Sequence, residues 1–351
     1  MAGARLNPLV VVDADVLGRR RTGDETYVRN LLRELAGLAG DLRIAAVTRR
    51  PNLVPAGVEV VELGTGSQEV RMAWTLPRLL RRLGADLVHT QYALPLRSPC
   101  PGVVTVHDLS FARQPQLMGW KDRLVFRTLV PRAVRRAARV LTVSERTKRD
   151  LLELYRVPEE RVVVTPNGVD PAFHPSPPGE GSARIDQLQG GFVLAVGAIQ
   201  SRKNQLAALE AASEIGIPLV VVGPEKDPAL ADELRRRGAR LEGYVDTERL
   251  AELYRDAACL VQASHFEGFG LPVVEAMASG TPVVAVREPA LEEVAGDAAV
   301  LVEEGGLADG IRQALADRER LSAAGLERAR SFSWRATAER TLAVYREILG
   351  T

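Results

Sequence analysis

The chain has 351 residues, of which 46% are hydrophobic and 26% charged, and its net charge is +1. This composition excludes an intrinsically disordered chain, and because single cores stop growing near ~250–300 residues, the length predicts two domains. No apolar run approaches the ~20 residues that cross a bilayer, and none fits a signal peptide. We therefore expect a cytoplasmic protein that is at most peripheral at the inner face of a membrane.

The two halves carry opposite charge. Residues 1–170 hold 27 Lys+Arg against 18 Asp+Glu, a net of +9, and the remainder is at −8. Opposite charges favour closure of one half on the other, and a basic half also suits an anionic membrane. Nucleic acid is not predicted, because no interleaved aromatics accompany the basic residues. The membrane-facing candidates are Arg78, Arg81 and Arg82, or Arg132, Arg135, Arg136 and Arg139; an ordinary solvated helix face explains each group equally well.

Short apolar runs alternate with amphipathic helical patterns along the chain, which is typical of α/β proteins with doubly wound parallel sheets. In the first half the predicted strands are Leu9–Val12, Ile44–Val47, Val58–Val61, Leu87–His89, Val103–His107, Val140–Val143 and Val162–Thr165. In the second half they are Phe192–Val196, Leu219–Val222, Cys259–Val261, Val283–Val286 and Ala299–Val302. The helical patterns are Tyr27–Leu38, Met72–Leu83, Arg146–Leu154 and residues 204–215, 228–237, 248–256 and 271–279.

The domain boundary is predicted from a segment rich in Pro and Gly that starts at Pro171. We assign residues 1–170 to an N-terminal domain, 171–190 to a linker and 191–332 to a C-terminal domain. Residues 333–351 include a long helical pattern from Trp334 to Leu349. That helix follows the second sheet, so we expect it to pack back on the first domain.

The strongest site signal is the segment from Ser264 to Glu275, which follows the strand Cys259–Val261 and opens a helix. Ligands of open α/β sheets bind outside the carboxyl ends of the strands. Gly268 and Gly270 let the backbone approach a ligand, and the free N–H groups of a helix start suit a diphosphate. The segment therefore predicts a site in which Glu275 holds ribose hydroxyls and Glu267 faces the other end of the ligand. The alternative is a helix start with a glycine turn and two surface glutamates.

A second signal follows the strand Phe192–Val196. Gly197 precedes Arg202 and Lys203, and both cations suit a diphosphate, Arg as a fork and Lys as a point charge. A solvated basic loop is the other interpretation. The segment follows the first strand of the same predicted sheet that carries Glu267 and Glu275, and this position favours a ligand site.

Two weaker signals lie in the first half. His107 ends a strand and can hydrogen-bond a sugar hydroxyl, although a structural histidine also fits. Gly23 precedes a helix start that can face a donor phosphate, and a loop with Asp24 as a helix cap is the alternative. No zinc-ligand spacing is present, and Asp13-Ala14-Asp15 has the letters of a metal–nucleotide motif but lies far from the glutamate segment. We predict that no metal cofactor is needed.

These motifs resemble the family-4 glycosyltransferases of the GT-B fold over essentially the whole chain. The resemblance is carried by the segments that begin at Asp13, His107, Thr142, Thr165 and Val196, and above all by the string from Glu267 to Ala285, with seven residues between its two glutamates. It implies two Rossmann-like domains that face each other across a cleft. The chain looks especially like bacterial mannosyltransferases that use GDP-mannose.

The resemblance also implies roles for individual residues. Arg202 and Lys203 would bind the diphosphate and Glu275 the ribose, while Glu267 would hold the transferred sugar with the backbone of Phe269–Leu271, which includes Gly270 and Leu271. His107 would lie near the C6 hydroxyl of that sugar, Gly23 beside the phosphates, and Gly243, Tyr244 and Val245 by the base. The family retains the anomeric configuration, and electrostatic stabilisation of the leaving diphosphate would be the main catalytic contribution.

One segment departs from the family pattern. Similar proteins often have T-G-x-G-R-Y where this chain has Thr22-Gly23-Asp24-Glu25-Thr26-Tyr27. Glu25 and Thr26 thus replace a glycine and an arginine on the acceptor side.

The sequence therefore predicts a retaining, metal-independent hexosyltransferase in polysaccharide biosynthesis. The expected donor is GDP-mannose, and the expected acceptor is a glycan or lipid-linked glycan. Two alternatives stay open: a UDP-sugar-dependent glucosyl- or N-acetylglucosaminyltransferase, and a non-catalytic nucleotide-sugar-binding GT-B partner protein.

Overall fold

The computed structural model of the chain describes residues 7–19, 22–117, 120–176 and 191–351. The chain forms two compact units, one of Met1–Gly168 with Trp334–Thr351 and the other of Val169–Ser333. The first residues of the predicted linker belong to the second unit, where Phe173 packs edge-on against Tyr254. Residues 177–190 of the predicted linker lie outside the described residues.

The first unit is built on a seven-stranded parallel sheet in the order β3-β2-β1-β4-β5-β6-β7. The central strands are buried on both faces, as their uninterrupted apolar runs predict. The strands are β1 Leu9–Asp13, β2 Arg43–Thr48, β3 Glu59–Glu62, β4 Leu87–Gln91, β5 Gly102–Val106, β6 Arg139–Thr142 and β7 Val162–Val164.

Helices cover this sheet. A π-helical segment, Arg71–Thr75, joins two of them, Gln68–Val70 and Leu76–Leu83. The helices are α1 Thr22–Leu38, α2 Gln68–Val70, α3 Leu76–Leu83, α4 Ser110–Arg113, α5 Trp120–Arg136 and α6 Glu145–Tyr155, and short 3-10 turns lie at Pro51–Leu53, Pro115–Leu117 and Glu159–Arg161.

The second unit has a six-stranded parallel sheet in the order β10-β9-β8-β11-β12-β13. Its strands are β8 Val193–Val196, β9 Leu219–Val222, β10 Arg240–Gly243, β11 Cys259–Gln262, β12 Val283–Val286 and β13 Val300–Val302. Its helices are α7 Gln205–Glu214, α8 Pro228–Arg236, α9 Thr247–Asp256, α10 Leu271–Ala278, α11 Pro289–Ala295, α12 Leu307–Ala316 and α13 Arg318–Ala329, with 3-10 turns at Ser201–Lys203, Gly296–Ala298 and Glu304–Gly306.

The strand order places a candidate ligand site in this unit. Strands run outward from β8 to β10, and the chain then crosses back to β11 on the other side of β8. Ligands of such sheets bind at this reversal, outside the carboxyl ends of the two strands. The loops after β8 and β11 therefore meet there, and they are the two loops that carry the strongest sequence signals.

The final helix, α14 Trp334–Leu349, belongs to the first unit and packs against α1. A buried polar contact anchors it, in which the Tyr345 hydroxyl lies 2.5 Å from Nδ1 of His89. The predicted fold, two Rossmann-like doubly wound sheets with a final helix that returns to the first, is confirmed. No helix in the described ranges is long and apolar enough to cross a bilayer.

One strand was missed by the sequence patterns. Strand β10 lies at the edge of its sheet, and its residues are exposed or half-buried. Arg240 and Glu242 interrupt the apolar pattern because an edge strand needs fewer buried side chains. The named helical patterns also omit α5, which has Pro131 in its interior, and α11, α12 and α13 of the second unit.

Candidate active site

The loop between β11 and α10 turns into its helix at Gly270. The φ angle of Gly270 is 107°, and a Cβ there would lie 2.8 Å from Cδ2 of Leu291. The backbone conformation therefore favours glycine, and a Cβ would in addition displace the Leu291 side chain. Pro272 occupies the first turn, and neither an acidic residue nor a side-chain cap is found on the first turn of α10. The helix thus presents backbone N–H groups and the positive end of its dipole, which suit an anion.

Glu267 lies in this loop with its side chain buried, and two cations converge on it. Lys203 Nζ lies 2.5 Å from Oε1, and Arg202 Nη1 lies 3.5 Å from Oε2. Gln262 Nε2 donates to Oε1 at 2.6 Å. Burial raises the pKa of Glu267, but Lys203 and Arg202 outweigh it and hold the pKa at about 2. Glu267 is therefore ionised at neutral pH.

Arg202 and Lys203 belong to the 3-10 turn after β8, and hydrogen bonds to backbone groups connect this turn to the Glu267 loop. Arg202 donates through Nη1 to the Phe266 carbonyl, and the His265 N–H donates to the Arg202 carbonyl at 3.0 Å. Gly197, with φ of 144°, leaves room for the Lys203 stem, because a Cβ there would lie 3.2 Å from Cε. The structure thus brings together Arg202, Lys203 and Glu267, which the sequence predicted as separate elements of one site.

Glu275 is the second glutamate of the segment and is also buried, but its pKa is raised where that of Glu267 is lowered. It lies on α10, where its Oε2 accepts from the Tyr254 hydroxyl at 2.8 Å. Burial raises the pKa of Glu275 to about 7, and the nearby Asp170 carboxylate acts in the same direction against the Tyr254 hydrogen bond. Glu275 therefore changes protonation near neutral pH while Glu267 does not.

His107 follows β5 in the first unit and is buried. Its ring packs edge-on against Tyr27 at 4.8 Å between centroids and against Tyr92 at 5.6 Å. Burial lowers the pKa of His107, although Asp24 and Asp108 oppose it. Its Nε2 makes no hydrogen bond to any described residue. A neutral imidazole is thus held by aromatic packing at the carboxyl end of its strand.

Two family models match the chain, and together they cover most of it. Glycosyltransferase Family 4 matches residues 21–173, and Glycosyl transferases group 1 matches residues 187–331. O-antigen chain mannosyltransferase B of Escherichia coli is 32% identical over 70% of this chain and 70% of its own length. D-inositol 3-phosphate glycosyltransferase of Frankia alni is 31% identical over 93% of this chain and 96% of its own length. The chain belongs to the family-4 glycosyltransferases.

Solved structures share the fold of this glycosyltransferase. Sucrose-phosphate synthase of Thermosynechococcus elongatus superposes with a TM-score of 0.77 at 22% identity, over 98% of this chain and 99% of that one. The Anabaena protein HepE, in complex with UDP and glucose, superposes with a TM-score of 0.75 at 17% identity, over 98% of this chain and 100% of that one. At these identities the likeness concerns the GT-B fold alone.

The residues predicted to lie by the base begin at the last residue of β10 in the glycosyltransferase. Gly243 has a φ of 69° and accepts from the Gly223 N–H at 2.8 Å, where the pairing of β9 with β10 shifts register. Tyr244 comes next, and this residue is 43% exposed. Val245 completes this segment, which lies two strands from β8, or roughly 10 Å across the sheet. An exposed aromatic ring here is suited to stacking on a flat base.

In the first unit, Glu25, which departs from the family pattern, makes hydrogen bonds within the protein. Glu25 is buried, and its Oε1 accepts from the Gly18 N–H and from Arg29 Nη2, both at 2.8 Å. Its side chain therefore braces the loop between β1 and α1. Gly23, on the first turn of α1, has no atom within 4 Å of a Cβ built on it, so space lies open beside it.

Sequence reasoning missed two sets of polar residues in the glycosyltransferase. Gln262 donates hydrogen bonds to both Glu267 and Ser264. It is a polar residue at the end of an apolar strand, and that break in the apolar pattern could have indicated a site residue. Asp13 and Asp15 pair with Arg71, and Asp15 also with Arg49 and Arg19. The structure thus assigns the metal-like D-x-D letters to an ion-pair cluster, and no group of three potential metal ligands occurs among the described residues.

Proposed function

We propose that this glycosyltransferase transfers a hexose, mannose from GDP-mannose, to a glycan or lipid-linked glycan with retention of configuration. The observation that carries the proposal is the convergence of Arg202 and Lys203 on Glu267 beside the N-terminus of α10. The Escherichia coli relative, O-antigen chain mannosyltransferase B, supports mannose and a polysaccharide acceptor.

The donor diphosphate would lie against the two cations and the start of α10. Arg202 and Lys203 supply two positive charges and Glu267 removes one, so the group keeps a net positive charge for a diphosphate. The dipole and N–H groups of α10 add to it. Charge neutralisation by these groups supports leaving-group departure without a metal ion.

Glu267 would hold the transferred sugar through its hydroxyls. A carboxylate with a pKa of about 2 remains an acceptor of hydrogen bonds throughout the physiological range. Phe269 to Leu271, with Gly268, line the same turn and would offer backbone groups to the sugar. His107, held neutral in the first unit, would accept or donate one hydrogen bond to a sugar hydroxyl. Retention then follows from same-face attack, assisted by the departing diphosphate.

A UDP-sugar donor is the second candidate. The HepE structure was solved with UDP and glucose, and other relatives are named D-inositol 3-phosphate glycosyltransferases, which widens the range of sugars and acceptors. The third candidate, a partner protein that binds a nucleotide sugar without transferring it, is favoured only by the altered segment that contains Glu25 and Thr26.

The test is a panel of GDP- and UDP-sugars incubated with the protein and mannosyl acceptors in EDTA. We expect nucleotide release from GDP-mannose, and an axial-linked product whose anomeric configuration matches the donor by NMR. Lys203→Ala should abolish release, while Arg235→Gln, on the exposed face of α8, should not. Release from UDP-sugars alone would support the second candidate, binding without turnover the third, and a strict metal requirement would contradict the metal-free mechanism.

A further inference from the structure

Three segments of the first unit contain arginine but no acidic residue. Residues 70–83, 91–107 and 123–142 hold eleven arginines and no aspartate or glutamate. Seven large apolar side chains are exposed in the described part of the chain, and five of them lie in these segments. Those five are Val70, Trp74, Leu96, Leu124 and Val125. Exposed apolar side chains and arginines therefore occur in the same three segments of the chain.

The segments lie on one face of the seven-stranded sheet. Val88 of β4 is opposite Gly102 of β5, and Val104 is two residues further, so Val88 and Val104 point to the same side. Leu76 of α3 packs in the cluster with Val88, and Val130 of α5 packs in the cluster with Val104. Helices α3 and α5 therefore cover neighbouring parts of one face, and their outer sides point away from the sheet together.

The connection between β4 and β5 joins the two helices. It has no helix of its own, and the Leu96 N–H donates to the Met72 carbonyl at 3.0 Å beside the π-helical segment. Arg136, at the end of α5, donates through Nη1 to the Leu96 carbonyl at 2.8 Å. The exposed side chains of the three segments thus form a continuous surface.

We define the basic–apolar surface by its five apolar residues and by the exposed arginines around them. Trp74 is 59% exposed and Leu124 is 63% exposed. Arg78 lies over the Trp74 ring, 5.2 Å from its centroid, which sets a guanidinium beside an exposed indole. The remaining exposed arginines of the surface are Arg81, Arg82, Arg97, Arg127, Arg132, Arg135 and Arg136.

Exposed arginines of the second unit have carboxylate partners. Arg235 pairs with Glu225, Arg236 with Glu233 and Arg237 with Glu210. None of the surface arginines makes such a pair with a carboxylate in the described ranges. Arg139, a membrane candidate from the sequence, is different, because it pairs with Glu347 and so does not belong to the surface. The positive charge of the surface is thus available to an external anion.

We propose that the basic–apolar surface docks this protein on a bilayer that contains anionic phospholipid. Exposed indole and leucine side chains insert at the headgroup boundary, and arginine stems lie along it with their charged ends toward phosphate. Each arginine near an anionic surface contributes about 1 kcal/mol of attraction. A single exposed aromatic does not provide the row of stacking platforms that single-stranded nucleic acid uses. The proposal is independent of which sugar donor the protein uses.

The first test is sedimentation with vesicles of phosphatidylcholine, alone or mixed with phosphatidylglycerol. We expect binding only to the mixed vesicles, weakening as salt is raised. The triple variant Arg127→Gln/Arg132→Gln/Arg135→Gln should bind on the order of 100-fold more weakly. Its matched control, Arg235→Gln/Arg236→Gln/Arg237→Gln, removes the same charge from the second unit and should bind as the unaltered protein does.

The second test asks whether the apolar residues enter the bilayer. Quenching of tryptophan fluorescence by brominated lipid should occur with the unaltered protein and be much reduced in Trp74→Phe. Matching thermal unfolding curves would show that each variant is folded. Equal binding to both vesicle types, or a triple variant that binds as well as its control, would overturn the proposal. So would arginine-dependent binding to a single-stranded oligonucleotide without vesicle binding, which would assign the surface to nucleic acid.

Discussion

The first strand of each sheet, β1 and β8, is followed by a loop that takes part in a cluster of arginine or lysine and carboxylate side chains. After β1, Asp15 is surrounded by Arg19, Arg49 and Arg71, and Arg71 also reaches Asp13 at 3.3 Å. After β8, Arg202 and Lys203 converge on Glu267, which belongs to the loop after β11. Three cations face two carboxylates in the first cluster, and two cations face one carboxylate in the second, so each keeps one positive charge.

What differs is the neighbouring helix. The first turn of α1 carries Asp24 and Glu25, whereas the first turn of α10 has no acidic residue. Arg71 is 5% exposed at its side chain, and it lies within the packed unit. Net charge alone therefore does not distinguish the two clusters. The second one, the proposed diphosphate site, also has a helix start that is free of carboxylates and a glycine turn.

The largest effect is expected from Glu267→Gln. In the proposed function, the substitution removes the carboxylate that would hold the sugar but leaves Arg202 and Lys203 to face the diphosphate without a competing anion. We expect sugar transfer to fall by about 10³-fold, while GDP binds at least as tightly as before. Steady-state kinetics and calorimetric titration separate the two. A variant that loses GDP binding in proportion to transfer would show that Glu267 does not act on the sugar.

Arg71→Met should affect stability instead. Arg71 is buried with Asp13 and Asp15, and burial raises the pKa of Asp13 against the opposing influence of Arg71. Removing one partner of a buried ion pair leaves an uncompensated charge, so the free energy of unfolding should fall by about 3 kcal/mol. Denaturant unfolding measures this, with Arg236→Met on exposed α8 as the control. Unchanged stability would show that the ion pairs of Arg71 with Asp13 and Asp15 do not stabilise the fold.

The sequence predicts the sheets better than it predicts which side chains of the candidate site meet. Both sheets were predictable because buried parallel strands form uninterrupted apolar runs, and β10 was not because an edge strand tolerates Arg240 and Glu242. The two loops of the candidate site were each recognisable in the sequence. The pairing of Lys203 with Glu267 was not, since the two are 64 positions apart and meet only when β8 and β11 become neighbours.

Glu275 offers a pH test within the second unit. Its pKa is raised from 4.5 to about 7 by burial, so the folded protein holds this proton more tightly than the unfolded chain. The free energy of unfolding should therefore fall as pH rises from about 4.5 to about 7 and change no further through this group above that. Donor affinity should move the other way, because ionised Glu275 accepts hydrogen bonds from ribose, by about tenfold per pH unit below 7.

Glu275→Gln supplies the control for that measurement. Its amide cannot ionise, so any remaining pH dependence of GDP affinity belongs to the ligand or to other groups. If the unaltered protein and Glu275→Gln gave the same pH profile, the buried carboxyl would not titrate in the donor complex.

The smallest effect is expected from Glu25→Gln in the first unit. The neutral amide oxygen still accepts from the Gly18 N–H, but the charge that pairs with Arg29 is gone. Unfolding should become easier by about 1 kcal/mol, since hydrogen bonds to charged groups exceed neutral ones. Glu34→Gln on the same helix, with a more exposed carboxylate, is the matched control for thermal unfolding. A loss of transfer without a loss of stability would place Glu25 at the acceptor instead.

The central claim is that protein cations, rather than a metal ion, bind the donor diphosphate. Calorimetric titration of GDP and of guanosine in EDTA tests it on the unaltered protein and on Lys203→Ala. The account predicts that GDP binds far more tightly than guanosine to the unaltered protein, and that Lys203→Ala loses most of this difference while its guanosine affinity is unchanged. GDP binding that requires a divalent metal, or that survives Lys203→Ala intact, would contradict it.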